Sequence, residues 1–264
     1  MKNYLSLLVF FLMASLGLAQ SQLIENISYY PESVTQTDYQ KERCKLDVYL
    51  PENTENFSTI VWFHGGGIET GSKEIPQVLK NKGFAVIGVN YRLSPQVKAP
   101  AYIEDAAAAI AWAKKNISLY GGNPDKIVIS GHSAGGYLTM ISLLDPQYLE
   151  PYKLNINDFA ALVPFSGHTI THFTIRKENG IPGEQPVVDH YAPLFHVKKD
   201  TPPIHLITGD REMELLGRYE ENAYFYRMLK VVGNQNVYLY EMQGYDHGMT
   251  YPAFPLLIKI TKNL

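Results

Sequence analysis

A single cysteine, Cys44, stands in a chain of 264 residues, so no disulfide can form within it. An exported chain of this kind must be held by its core, and this length buries enough apolar surface to do so. Charge of one sign is also missing. Twenty-three Lys and Arg against 26 Asp and Glu leave a formal net charge of −3. That balance gives no electrostatic ground for a nucleic-acid or anionic-membrane partner. Internal repeats and low-complexity tracts are absent, which excludes solenoid and fibrous architectures. No apolar run reaches the roughly 20 residues that span a bilayer. The longest occupies residues 4–18, with Lys2 before it and the small-residue site Gly17-Leu18-Ala19 at its end. This pattern reads as a cleavable leader over residues 1–19, hence a secreted or periplasmic protein without stable membrane association. Residues 20–264 then form one domain.

Tryptophan is scarce at two residues, whereas tyrosine reaches nineteen. A tyrosine excess fits half-buried positions and is compatible with sugar substrates, on which the ring stacks while its hydroxyl hydrogen-bonds.

Short β-branched apolar segments alternate with helical patterns along the chain. Strands are predicted at 45–50, 59–63, 84–90, 127–130, 159–163, 202–208 and 237–241, and helices at 76–82, 102–120 and 137–144. The alternation specifies an α/β fold, a doubly wound and mostly parallel sheet. Catalytic groups are then expected at the carboxyl ends of the strands. Residues 166–202 are rich in Thr, His and Pro, have weak periodicity, and read as an insertion or lid.

The most informative segment is Ile127-Val128-Ile129-Ser130-Gly131-His132-Ser133-Ala134-Gly135-Gly136. A strand runs into Gly-x-Ser-x-Gly and a helix follows, the context in which the motif becomes a nucleophile elbow. Ser133 there adopts a strained backbone, at a cost of roughly 1–3 kcal/mol. A serine hydroxyl needs a base to take its proton and an acid to orient that base. Gly244-Tyr245-Asp246-His247-Gly248 follows the last strand, so His247 is the expected base. His132, adjacent to the nucleophile, is read as a packing residue. The acid should follow the preceding strand, in Gly209-Asp210-Arg211-Glu212-Met213-Glu214. Glu212, three residues after the glycine, is favoured, with Asp210 as the alternative. Glu214 is expected to pair with Arg211 or Arg218. His64-Gly65-Gly66-Gly67 ends an earlier strand, and its bare backbone can turn N–H groups inward. Gly66, Gly67 and Ala134 are the expected oxyanion donors, with His64 bracing the loop. His168 and Tyr191 are candidate substrate contacts. His168 and His172 sit at metal-ligand spacing but lack a third ligand, so neither a metal nor another cofactor is expected.

These residues resemble the α/β-hydrolase fold, and more narrowly carboxylesterases of the hormone-sensitive-lipase and bacterial feruloyl-esterase type. The resemblance runs from about residue 45 to 249 and includes Asn90-Tyr91-Arg92-Leu93-Ser94-Pro95 and the helix around Asp105. It implies a structural role for Arg92 and Asp105, tying loops under the site. It also implies an acyl-enzyme esterase acting on a small-molecule or glycan ester, with acetyl or hydroxycinnamoyl as the acyl group. An arylformamidase-like amide hydrolase and a catalytically dead binding scaffold are the alternatives.

Overall fold

The computed structural model describes residues 22–52 and 54–264; the leader expected over 1–19 lies outside them. Eight strands form one sheet: β1 (Gln22–Ser28), β2 (Lys45–Leu50), β3 (Phe57–Phe63), β4 (Ala85–Val89), β5 (Gly122–His132), β6 (Ala161–Phe165), β7 (Ile204–Gly209) and β8 (Val237–Met242). Their order across the sheet is β1-β2-β4-β3-β5-β6-β7-β8. The β1–β2 and β2–β4 pairs are antiparallel, and every other neighbouring pair is parallel.

Strand side chains alternate between two cores, as the period of two requires. Val61 and Phe63 face the layer made by α2 (Ala101–Asn116), α3 (Ala134–Leu144) and α5 (Arg218–Val231). Ile60 and Trp62 face α6 (Thr250–Lys262) and the 3₁₀ turn Gln77–Leu79. That turn replaces the helix expected at 76–82: Pro76 caps it and the chain becomes extended at Lys80. The strand expected at 159–163 forms instead at Ala161–Phe165, because Phe159 caps a preceding 3₁₀ turn. Polar composition concealed α1 (Asp38–Arg43), α4 (Phe173–Glu178) and α5; in the last two, charged residues as well as apolar ones turn inward, Arg176 and Arg218 being buried.

Arg92 and Asp105 lock the start of α2 to the end of β4. Asp105 is wholly buried and receives Arg92 Nε and Nη2, each at 2.8 Å, and the Arg92 backbone N–H at 2.9 Å. A bidentate pair with further donors satisfies the buried carboxylate. The strand order reverses between β3 and β5. In an open α/β sheet the crevice beyond such a reversal is where ligands bind. The glycine loop after β3 and Ser133 after β5 face that crevice.

Candidate active site

The elbow is set by close backbone packing. At Gly131 a Cβ would lie 2.6 Å from the Phe63 carbonyl, and at Gly135 it would overlap the same oxygen outright. With both positions bare, α3 crosses directly over β3 and β5. Ser133 takes φ 56° and ψ −115° in the turn between them. This left-handed φ costs a β-carbon-bearing residue energy, and the packing around it holds it there. Ala134 begins α3, so its N–H has no acceptor within the helix.

His247 arrives from the loop after β8. Its Nε2 accepts from Ser133 Oγ at 2.9 Å, and its Nδ1–H donates to Glu214 Oε1 at 2.6 Å. The carboxylate that meets His247 is therefore Glu214, five residues past the strand-ending Gly209, and not Glu212 or Asp210 as expected. The loop geometry gives the reason. The Asp210 carbonyl accepts the N–H of Met213 and of Glu214, each bond closing a tight turn that swings residue 214 inward. The Asp210 carboxylate is spent on the backbone N–H of Glu212 and Gly244. Glu212 is left on the exposed side of this turn. The ion pairs expected of Glu214 go elsewhere: Arg211 pairs with Glu241 and Arg218 with Glu221.

Glu214 is 1% exposed in its side chain. Burial alone would raise its pKa. Hydrogen bonds from His247, Ser166 and the Leu215 backbone outweigh that and lower it to about 2. It is a carboxylate across the working range, able to stabilise an imidazolium.

Ser166 was not expected here. It follows β6 with φ 47°, donates to Glu214 Oε2 at 2.6 Å, and lies 3.1 Å from His247 Nδ1. Its own carbonyl accepts from Arg218 Nη1. Arg218 is 2% exposed and also donates to Glu221 at 2.9 Å. The glutamate is thus fixed at both oxygens by groups rooted in a buried network. The placement rule for parallel sheets, applied to β6 as well as β5, would have flagged Ser166.

His132 packs as expected and also does more. Its Nε2–H donates to the His247 carbonyl at 2.8 Å, holding the His247 loop from behind. Burial, followed by the nearby His247, lowers its pKa to about 4, so it stays neutral. His64 stacks on Tyr91 at 4.4 Å, and its Nδ1–H donates to the Gly65 carbonyl at 2.7 Å, bracing the glycine loop. Gly66 and Gly67 both have positive φ, 108° and 63°, which turns the loop backbone in a way few other residues could follow. Thr174 Oγ1 donates to the Gly67 carbonyl, tying α4 to this loop.

The two candidate substrate contacts fare differently. His168 is 1% exposed and donates from Nδ1 to Glu221 at 2.7 Å, so it braces the floor and does not reach a substrate. Tyr191 is half-buried, lies tilted against the His190 ring and accepts from Tyr137 through its backbone; no contact links it to Ser133, His247 or Glu214. Among the described residues no group of three or more His, Cys, Asp or Glu could hold a metal ion.

The sequence matches the BD-FAE family over residues 46–216. It is 30% identical over 217 residues to the probable carboxylic ester hydrolase LipM of Mycobacterium tuberculosis, covering 73% of this chain and 48% of that protein. The chain thus spans about half the length of that relative. Among solved structures, a truncated carbohydrate esterase from gut microbiota superposes with a TM-score of 0.72 at 20% identity, covering 94% of this chain and 97% of that one. Thermogutta terrifontis esterase 2 phosphoramylated by tabun gives 0.69 at 22% identity, with 92% of each chain covered. At these identities the two structures establish the α/β-hydrolase fold.

Proposed function

The chain belongs to the BD-FAE family, and from that membership together with the catalytic geometry we propose that it is a serine esterase, a carboxylic ester hydrolase working through an acyl-enzyme. The observation that carries this reading is the unbroken line Ser133–His247–Glu214, with links of 2.9 and 2.6 Å. His247 removes the Ser133 proton as Oγ attacks the ester carbonyl. The oxyanion that forms is met by N–H groups of Gly66, Gly67 and Ala134. Collapse expels the alcohol, which takes the proton from His247 Nε2. Water then repeats the sequence on the acyl-serine. Glu214 holds the charge of the imidazolium throughout and keeps its proton on Nδ1.

The substrate we favour is an acetyl or hydroxycinnamoyl ester on a polysaccharide or oligosaccharide. Its support is the likeness to a carbohydrate esterase and the tyrosine excess. Export through a leader over residues 1–19 accords with such a substrate, and the 166–202 segment, whose first residues Ser166 and His168 are built into the floor, is proposed to choose the acyl and alcohol groups. Turnover of p-nitrophenyl acetate tests the reaction, and labelling by a fluorophosphonate probe tests the nucleophile. Both should occur in the natural chain and vanish in Ser133→Ala. Labelling that persists in the variant would reject the assignment of Ser133. Release of acetate or ferulate from xylan oligomers tests the substrate.

A further inference from the structure

The α2 side of the molecule carries a concavity that ester cleavage at Ser133 does not use. A cavity of about 620 Å³ opens between the turn after β1, the second half of α2 and the loop at 151–154, with Tyr29, Tyr30, Trp112 and Tyr152 among its walls. A second hollow of about 390 Å³ shares Tyr30, Pro151 and Tyr152 with the first and continues to Pro100 and Glu104. The two form one groove. α2 is the crossover between β4 and β5, both parallel to β3, and so runs against the strand direction. Pro100 therefore lies at the carboxyl rim that bears the elbow, and Asn116 at the far edge of the sheet. From Glu104 to Asn116 the helix rises about 18 Å. The groove leads from the catalytic rim down the side of the domain.

Its chemistry is selective. Two of the rings are held in place: Tyr29, buried at 4% exposure, donates to the Asn90 carbonyl at 2.9 Å and forms the floor, while Tyr30 donates to Asp105 at 2.8 Å and presents a fixed face. Fixed aromatic faces with wet edges suit the apolar face of a sugar ring and lose little entropy on binding it. The larger hollow is lined by Lys114, Lys115 and Lys153 and by no carboxylate residue, on a chain whose net charge is −3. Lys114 is spent on the Pro124 and Asp158 carbonyls and on Asp125. Lys115 and Lys153 make no ion pair among the described residues. A bare phosphate would have no use for the rings of Tyr30, Trp112 and Tyr152, and a purely apolar ligand none for the cations.

We propose that this groove is a second binding site, for a sugar chain bearing uronic acid, which holds a polysaccharide while its esters are cut at Ser133. The proposal rests on the glycan-ester reading above. Calorimetric titration of the full chain with an ester-free, glucuronic-acid-substituted xylo-oligosaccharide tests it, with a neutral xylo-oligosaccharide and free ferulate as comparison ligands. Turnover of p-nitrophenyl acetate is followed on the same samples. The uronate oligomer should bind more tightly than the neutral one. Trp112→Ala should weaken it about tenfold or more, and Lys115→Gln with Lys153→Gln should erase most of its preference over the neutral oligomer. Neither change should alter p-nitrophenyl acetate turnover. Equal binding of charged and neutral oligomers, full retention by the lysine variant, or binding of ferulate alone would overturn the groove while leaving esterase activity intact. Absence of ester turnover with glycan binding retained would instead remove the esterase reading and leave the site.

Discussion

The elbow after β5 holds Ser133 by steric exclusion, whereas the loop after β7 holds Glu214 by hydrogen bonds. In the first, bare Gly131 and Gly135 let a helix and two strands meet so closely that only one backbone path remains. In the second, Gly209 also packs closely, on the Asp246 and Tyr245 carbonyls, but that contact does not decide which of three carboxylates turns inward. The choice is made by the Asp210 carbonyl, by Ser166, and by the N–H groups of Gly209 and Leu215, which both donate to the Glu214 carboxylate at 2.9 Å. One half of the proposed catalytic apparatus is rigid chiefly by shape and the other chiefly by polar satisfaction, and the two should fail differently.

Substitution at the elbow gives the largest effects. Ser133→Ala should lower kcat on p-nitrophenyl acetate by about 10⁶ with little change in stability, since it removes the nucleophile and leaves the turn. Gly135→Ala should do the reverse. Its methyl overlaps the Phe63 carbonyl, so the fold should lose at least about 3 kcal/mol, read as a lower urea midpoint. If Gly135→Ala unfolds at the natural midpoint, steric exclusion does not set the elbow.

On the polar side the changes should be graded. Ser166→Ala should reduce kcat by about tenfold to a hundredfold with KM nearly unchanged, because Oε2 of Glu214 loses one of its donors while Oε1 still meets His247. It should also shift the acidic limb of the kcat/KM profile. Equal losses in KM and stability with no shift in that limb would make Ser166 a packing residue only.

The last effect is spread over both regions and appears only as the pH falls. His64 and His132 are lowered to about 4 from an ordinary 6.5, burial being the leading cause, and the buried His168 and His172 are lowered as well. Between about pH 6.5 and 4 the unfolded chain therefore binds more protons than the folded one, and stability falls as pH falls. Glu214, lowered to about 2 from 4.5, adds a further loss below pH 4.5. The urea midpoint should be flat above pH 7 and decline steadily below 6.5. A midpoint independent of pH from 7 down to 4.5 would contradict the buried, neutral state of these rings.

The same contrast explains what could be read from the chain. Alternating apolar segments gave the sheet, because strand residues such as Ile60, Val61, Trp62 and Phe63 must divide between two cores. The Gly-x-Ser-x-Gly run and the histidine between glycines are legible since sterics act through nearest neighbours in sequence. Glu214 was not, because its selection depends on a serine 48 residues earlier and on turn hydrogen bonds that no spacing encodes. The helix expected at 76–82 failed for a similar reason. Its three-residue turn is packed by Leu79 under Trp62 and Phe84, and tertiary packing overrides local propensity.

The most direct measurement compares kcat/KM of Glu214→Gln with that of Glu212→Gln on p-nitrophenyl acetate. Glu214→Gln should lose about 10⁴, as removal of a triad acid does, and Glu212→Gln should stay within about twofold of the natural chain, as expected for an exposed side chain. A large loss in Glu212→Gln with Glu214→Gln near normal would contradict the line from Ser133 through His247 to Glu214.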